Sequence, residues 1–185
     1  MKTITPAAVI RGIEEAATLT GLKEFFLVGM ATSLFTIPRK RSHKSDDADF
    51  FTPEDELKNL DPVILNLGEG SDFQKREGFY IERVGSWTML TQPDGWRERA
   101  KTIPHPTLKI QALSLIDLLY NKLEVNRPKD RTAIEEILAK STLTRSKFQK
   151  FLHAQNVPGE KQRVLMMRLR TLARKVEAKK AAAIS

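Results

Sequence analysis

Apolar residues first recur at helical spacing at Val9, Ile10, Ile13, Ala16 and Ala17. Thr5-Pro6 supplies a capping hydroxyl followed by a proline suited to the first helical turn, and Gly21 ends the segment. Residues 24–29 (EFFLVG) form an unbroken apolar run of strand length, and residues 30–35 predict a second helix that stops before Pro38. A basic polar loop follows over 39–45, then a strand over 47–51. Thr52-Pro53, with Asp55 and Glu56, opens a helix towards Leu60, and 68–71 is a turn. Residues 73–75 and 79–84 predict a hairpin about Glu77-Gly78. Pro93-Asp94-Gly95 is a turn, and 108–113 a further strand.

Beyond Ser114, which caps it, the pattern is helical throughout. Helices are predicted over 115–126, 129–140, 144–155 and 160–179, broken at Pro128 and at Val157-Pro158-Gly159, and followed by a frayed tail. A helix, a few strands and then an all-helical stretch give an α+β fold, a small mixed sheet flanked by helices with a helical C-terminal half. The expected division is a core over 1–113 and a helical region over 114–185 packed on it.

Charge sharpens this division. The chain carries a net +8, but residues 141–185 hold 11 Lys and Arg against 2 acidic residues, so the basicity sits at the C-terminal end. A concentrated basic segment attracts phosphate-rich or acidic partners. The long helix over 160–179 reads either as a nucleic-acid-facing surface or as the solvated face of an amphipathic helix. Cysteine is absent, which excludes disulfides and zinc–thiolate sites. The stretch MKTITPAAVIRGIEEA lacks an apolar signal core, and residues 25–35 are too short to span a bilayer. A cytoplasmic protein with no membrane segment is expected.

The segment carrying chemistry is Lys44-Ser45-Asp46-Asp47-Ala48-Asp49-Phe50-Phe51. On a strand, residues i and i+2 share a face. Asp47 and Asp49 therefore project together, with Ala48 and Phe50 opposite. Two adjacent carboxylates repel, and a hard divalent cation such as Mg²⁺ offsets that repulsion through oxygen ligands. The pair suits phosphoryl-transfer chemistry. Its bland counterpart is a solvated strand end. Arg39, Lys40, Arg41 and Lys44 precede the pair, as triphosphate or RNA ligands or as a solvated loop. His43 in that loop and His153 on a helix have no evident partner in sequence. His105, between Pro104 and Pro106, reads as structural, and Trp87 and Trp96 as packing aromatics or as platforms for a stacked base. Arg97 and Arg99 read as surface charges or loop anchors, or as phosphate contacts beside Trp96.

Phe25-Phe26-Leu27-Val28-Gly29-Met30-Ala31-Thr32-Ser33 is an apolar strand, a glycine turn and small residues opening a helix. Followed by a strand bearing Ser-x-Asp-x-Asp, it resembles the nucleotidyltransferase fold of the DNA polymerase beta superfamily. It is most similar to small bacterial nucleotidyltransferase-like proteins, relatives of abortive-infection and toxin–antitoxin enzymes. Gly78-Phe79-Tyr80, residues 90–99 (LTQPDGWRER) and residues 115–138 extend the similarity.

The resemblance implies the following roles. Gly29 and Ser33 match the nucleotide-cradling turn and helix, and Lys44 and Ser45 join the nucleotide-binding set. Asp47 and Asp49 match the metal-binding carboxylates, and Glu82 is the candidate third, on a strand where Tyr80, Glu82 and Val84 share a face. Lys122, Arg127 and Asp130 match a polar cluster on later helices, which faces the nucleotide or ties the helices together. The implied cofactor is Mg²⁺ or Mn²⁺ and the substrate an NTP. The acceptor is RNA, tRNA included, or a protein, and a cognate toxin or antitoxin is an implied partner. Two features depart from the family pattern: Met30 stands where a second small residue is usual, and Glu82 is longer than aspartate. They leave room for a non-catalytic regulatory protein on this fold, or for a plain nucleic-acid-binding module.

Overall fold

Residues 2–53, 61–85, 89 and 91–182 are described by a computed structural model. The chain is α+β and divides into two units, Met1–Thr91 with Arg97–Ser114, and Gln92–Trp96 with Leu115–Ser185.

The first unit opens with β1 (Lys2–Ile4) and α1 (Pro6–Thr20). Thr5 caps α1 by accepting a hydrogen bond from the Ala8 N–H, and Pro6 stands in its first turn. Val9, Ile13, Ala16 and Ala17 lie on its buried face, as their spacing predicts. Next come β2 (Glu24–Leu27), a 3₁₀ turn (Met30–Thr32), α2 (Ser33–Thr36), β3 (His43–Ser45) and β4 (Asp47–Phe51). Then follow α3 (Asp61–Leu67), α4 (Asp72–Glu77), β5 (Tyr80–Arg83), α5 (Trp96–Arg99), β6 (Lys101–Ile103) and β7 (Lys109–Ala112).

Five strands form a mixed sheet in the order β5-β4-β2-β7-β6. The β2–β7 and β4–β5 pairs are parallel, while β2–β4 and β6–β7 are antiparallel. The central strand β2 buries Phe25, Phe26 and Leu27, which explains its continuous apolar sequence. In β4, Ala48 and Phe50 are buried, and Phe50 packs on Phe25 with ring centroids 5.6 Å apart. Helix α1, together with Val63 and Leu67 of α3 and Phe73 of α4, belongs to the core that contains Ala48, Phe50 and Ile81. That face of the sheet is thereby closed, and the alternate residues of β4 and β5 point the other way.

Three expectations change. Residues 73–75 are helical, within α4, so no hairpin forms about Glu77-Gly78. Ser71 caps this helix by accepting from the Gln74 N–H, and Gly78 ends it at φ 84°, with its own N–H bonded to the Gln74 carbonyl. The basic loop contains a strand, β3, paired antiparallel with β1 in a separate two-stranded ribbon that sets Lys44 opposite Thr3. Residues 61–67 form a helix, α3, that the apolar pattern does not predict. The helix expected after Thr52-Pro53 lies mostly outside the described residues, as does Trp87.

The second unit contains α6 (Leu115–Val125), α7 (Pro128–Lys140), α8 (Arg145–Ala154) and α9 (Gly159–Ala182). Its core includes Leu119, Leu123, Ile134, Phe148, Leu152, Leu165 and Leu169. Thr144 caps α8. Among the described residues, no helix is long and apolar enough to cross a membrane.

Candidate metal and nucleotide site

The parallel register of β4 and β5 decides where the acidic residues go. Asp47 lies beside Tyr80, and Asp49 beside Glu82. Neighbouring residues in a ladder project to the same face, so all three carboxylates stand on the face opposite α1. Asp47, Asp49 and Glu82 each offer an oxygen within 4.8 Å of the others. Asp47 and Asp49 are half-buried, and Glu82 is exposed. A single oxygen-seeking cation with metal–oxygen distances of about 2.0–2.6 Å can bridge such a spacing. The glutamate's extra methylene does not carry its carboxylate away from the two aspartates.

The turn after β2 is shaped to admit one of these groups. Gly29 adopts φ 59°, and a Cβ placed there would lie 1.8 Å from Asp49 Oδ2. The Asp49 carboxylate thus rests directly against the backbone of the glycine turn. The backbone supports the same approach, since the Val28 N–H donates to the Asp49 carbonyl at 3.0 Å. On the adjoining side, the Ser45 hydroxyl donates to Asp47 Oδ1 at 2.7 Å. That bond fixes one oxygen of Asp47.

Ser33 is fully buried at the start of α2. Its hydroxyl donates to the Met30 carbonyl at 2.6 Å and accepts from Lys40 Nζ at 2.6 Å. Lys40 Nζ also lies 3.3 Å from His43 Nδ1. Thr32 bonds the Leu27 carbonyl, tying the turn to β2. Lys44 is exposed on β3.

The field at the cluster is negative. Burial, and then the charges of Glu82, Asp47, Glu69 and Asp49, push the Tyr80 phenol up to about 12. A phenol reports its surroundings in this way because its own ionised form would add another negative charge. Three carboxylates converging on one open sheet face form a hard-oxygen donor set, and the residues present fit a divalent cation.

Residues 8–173 match the model of a family described as "Nucleotidyltransferase of unknown function (DUF6036)". The chain belongs to that family. No curated protein and no solved structure matches it.

In this nucleotidyltransferase the expected carboxylates converge, and Gly29 and Ser45 each engage one of them. Lys122 and Arg127 are placed differently. Both hold Asp130: Lys122 Nζ at 2.9 Å from Oδ1, and Arg127 Nε at 2.7 Å from Oδ2. Asp130 is fully buried, Lys122 is buried and Arg127 is exposed. The Arg127 N–H also donates to Asp130, so this aspartate caps α7 while bonding Lys122 of α6. Burial pushes the Asp130 carboxyl up, but hydrogen bonds from Arg127 and Lys122 outweigh it and hold the group down at about 2. The triad ties two helices of the second unit together.

Reading the sequence alone missed two neighbours of the site. Alternation puts Tyr80 on the face of Glu82, but only the register of β4 and β5 sets it beside Asp47. Lys40 was one of four loop cations, and no local pattern marks it as the one that reaches Ser33.

Proposed function

We propose that the protein is a metal-dependent nucleotidyltransferase, transferring a nucleotide from an NTP to an RNA or protein acceptor. The observation that carries this reading is the convergence of Asp47, Asp49 and Glu82 on one sheet face, against the glycine turn. Asp47, Asp49 and Glu82 would hold a divalent cation, Mg²⁺ or Mn²⁺. Bound there, it supplies charge neutralisation for the triphosphate and the developing oxyanion.

The chain's own residues do the positioning. Gly29, lacking a side chain, leaves the turn's backbone open to a phosphate beside Asp49. Lys40, from the loop after α2, brings its ammonium to the buried Ser33, and Lys44 and Ser45 lead into the acidic strand. Ser45 keeps one Asp47 oxygen occupied, which orients the other lone pairs. The reaction is in-line attack of an acceptor hydroxyl on the α-phosphorus. The oxygen–phosphorus bond to the acceptor forms as the bond to pyrophosphate breaks, and the acceptor proton leaves to solvent or to a carboxylate. A role for Lys122 and Arg127 at the nucleotide would have to coexist with their bonds to Asp130. The toxin–antitoxin or phage-defence setting rests on the family resemblance alone.

The test is incubation of the purified protein with Mg²⁺, each α-labelled NTP and total RNA or lysate. Label should enter an acceptor, and the Asp47→Ala and Asp49→Ala variants should abolish transfer. Absence of transfer, together with absence of Mg²⁺- or NTP-dependent thermal stabilisation, would overturn the reading.

A further inference from the structure

Helix α9 sorts its cations by face. Leu165, Leu169, Leu172 and Val176 form its buried stripe. On one flank of that stripe, four cations have internal partners. Lys161 pairs with Glu124, and Lys175 and Lys179 both pair with Glu135. Arg168 donates to the carbonyls of Leu123 and Glu124 at 2.7 and 3.0 Å. These four groups fasten α9 to α6 and α7, so they are part of the unit's packing.

The opposite face differs. Arg163, Arg170 and Arg174 fall within about 40° of one another around the helix and run along about 16 Å of its length. All three are exposed, and none has an ion pair or hydrogen bond among the described residues. Glu160 and Glu177, the acids of this segment, form no ion pair with them. Beside them lies the exposed Met167, with Val164 on the flank. Three lysines and Arg168 are thus used inward, and three arginines are left outward. Guanidinium is the better phosphate ligand, because its planar fork makes two parallel hydrogen bonds to one anion.

The shape of the face selects among anionic partners. A protein partner of useful affinity buries a central apolar anchor in a pocket. This face is the outer surface of one helix and offers only Met167 and Val164 to such an anchor. Nucleic-acid interfaces are more polar and more positively charged, and take much of their energy from phosphate contacts.

We propose that the outward stripe of α9, Arg163, Arg170 and Arg174, binds the sugar–phosphate backbone of RNA. The choice of RNA over DNA rests on the proposed transfer to an RNA acceptor; the anion-binding surface itself does not. The stripe supplies three of the 11 cations of the basic C-terminal segment and does not use the lysines that fasten the helix.

The experiment uses the full-length protein and a fluorescein-labelled RNA hairpin, without NTP or divalent cation, and follows anisotropy across a salt series. Binding should weaken with salt, and the Arg163→Gln/Arg170→Gln/Arg174→Gln variant should lower the log–log salt slope by about 2. The control Lys161→Gln/Lys175→Gln/Lys179→Gln removes the same charge and should change the slope far less. If that control unfolds, Arg11→Gln/Lys75→Gln/Arg76→Gln in the first unit replaces it. No RNA binding by the wild type, or equal losses in the arginine variant and the control, would overturn the proposal. So would arginine-dependent binding of polyglutamate tighter than RNA, which assigns the face to an acidic protein. A DNA hairpin of the same sequence bound equally well or better would overturn the choice of RNA. Because the assay contains no NTP or metal, RNA binding that persists in Asp47→Ala/Asp49→Ala separates this surface from the transfer reaction.

Discussion

Asp49 occupies the space that a side chain at position 29 would need: a Cβ on Gly29 would fall 1.8 Å from Asp49 Oδ2 and 2.8 Å from Cγ. Two separate costs follow for Gly29→Ala. The backbone sits at φ 59°, where a side chain adds strain of about 1–3 kcal/mol. The methyl also displaces the carboxylate, because Asp49 is fixed to β4 and the turn to β2. The Gly29→Ala protein should therefore lose Mg²⁺-dependent thermal stabilisation and nucleotide transfer while its far-ultraviolet circular dichroism stays near wild type. Retention of both activities would show that Asp49 is free to relocate.

In the proposed metal site, Ser45 acts through Asp47. Its hydroxyl occupies Oδ1 at 2.7 Å. Supporting hydrogen bonds of this kind typically contribute 10- to 100-fold, in round terms about 1–3 kcal/mol, to metal affinity. Ser45→Ala should weaken Mn²⁺ binding within that range in isothermal titration calorimetry. Ser45→Thr, which keeps the hydroxyl, should restore most of it. Equal affinities for all three proteins would remove Ser45 from the metal site.

The legible parts of the molecule were those whose signal is local. The Asp47–Phe51 strand follows from its alternation, and α1 from Thr5-Pro6 and its apolar spacing. The helices α6 to α9 follow from their breaks and caps. Strands β1 and β6 span three residues each, too few to display a period. Phe73-Gln74-Lys75 resembled a strand because one aromatic dominated a short segment. The capping serine and the terminal glycine that make it helical lie outside those three residues. For the site, Asp47 and Asp49 were visible as neighbours in sequence. Glu82 joins them only through the parallel register of two strands more than 30 residues apart, which no local pattern specifies. The division of α9's cations was equally hidden, since it depends on Glu124 and Glu135 of other helices.

His105 has a structural role that can be separated from transfer. Its Nδ1 accepts from the Leu108 N–H at 3.0 Å and from the Thr107 N–H at 3.3 Å, which leaves Nε2 to face Glu14 of α1 at 3.0 Å. The imidazole thus closes the turn that leads into β7. His105→Ala leaves those backbone donors without this acceptor at a site only 9% exposed, at a cost of about 1–3 kcal/mol. Urea denaturation should register that loss, and specific nucleotide transfer by the folded fraction should be unchanged. A drop in transfer at full occupancy of the folded state would place His105 in the reaction.

The Asp130 triad predicts acid sensitivity with a defined sign. The carboxyl is held at about 2 in the folded protein, below the ordinary aspartate value of 3.8. The folded state therefore binds this proton less readily than the unfolded chain does. The resulting stabilisation is fully present above about pH 4 and disappears as the pH falls towards 2. It amounts to about 2–3 kcal/mol, from about 1.4 kcal/mol per pH unit. Replacing Asp130 with asparagine removes this proton linkage and leaves the buried Lys122 ammonium without its counter-charge, a change that typically costs about 3–5 kcal/mol. The stability difference between wild type and Asp130→Asn should accordingly be largest near neutral pH and shrink between pH 4 and 2, measured by urea unfolding at each pH. A difference that stays constant across that range would mean that Asp130 keeps its ordinary affinity for protons. Lys122 and Arg127 would then be available to a ligand.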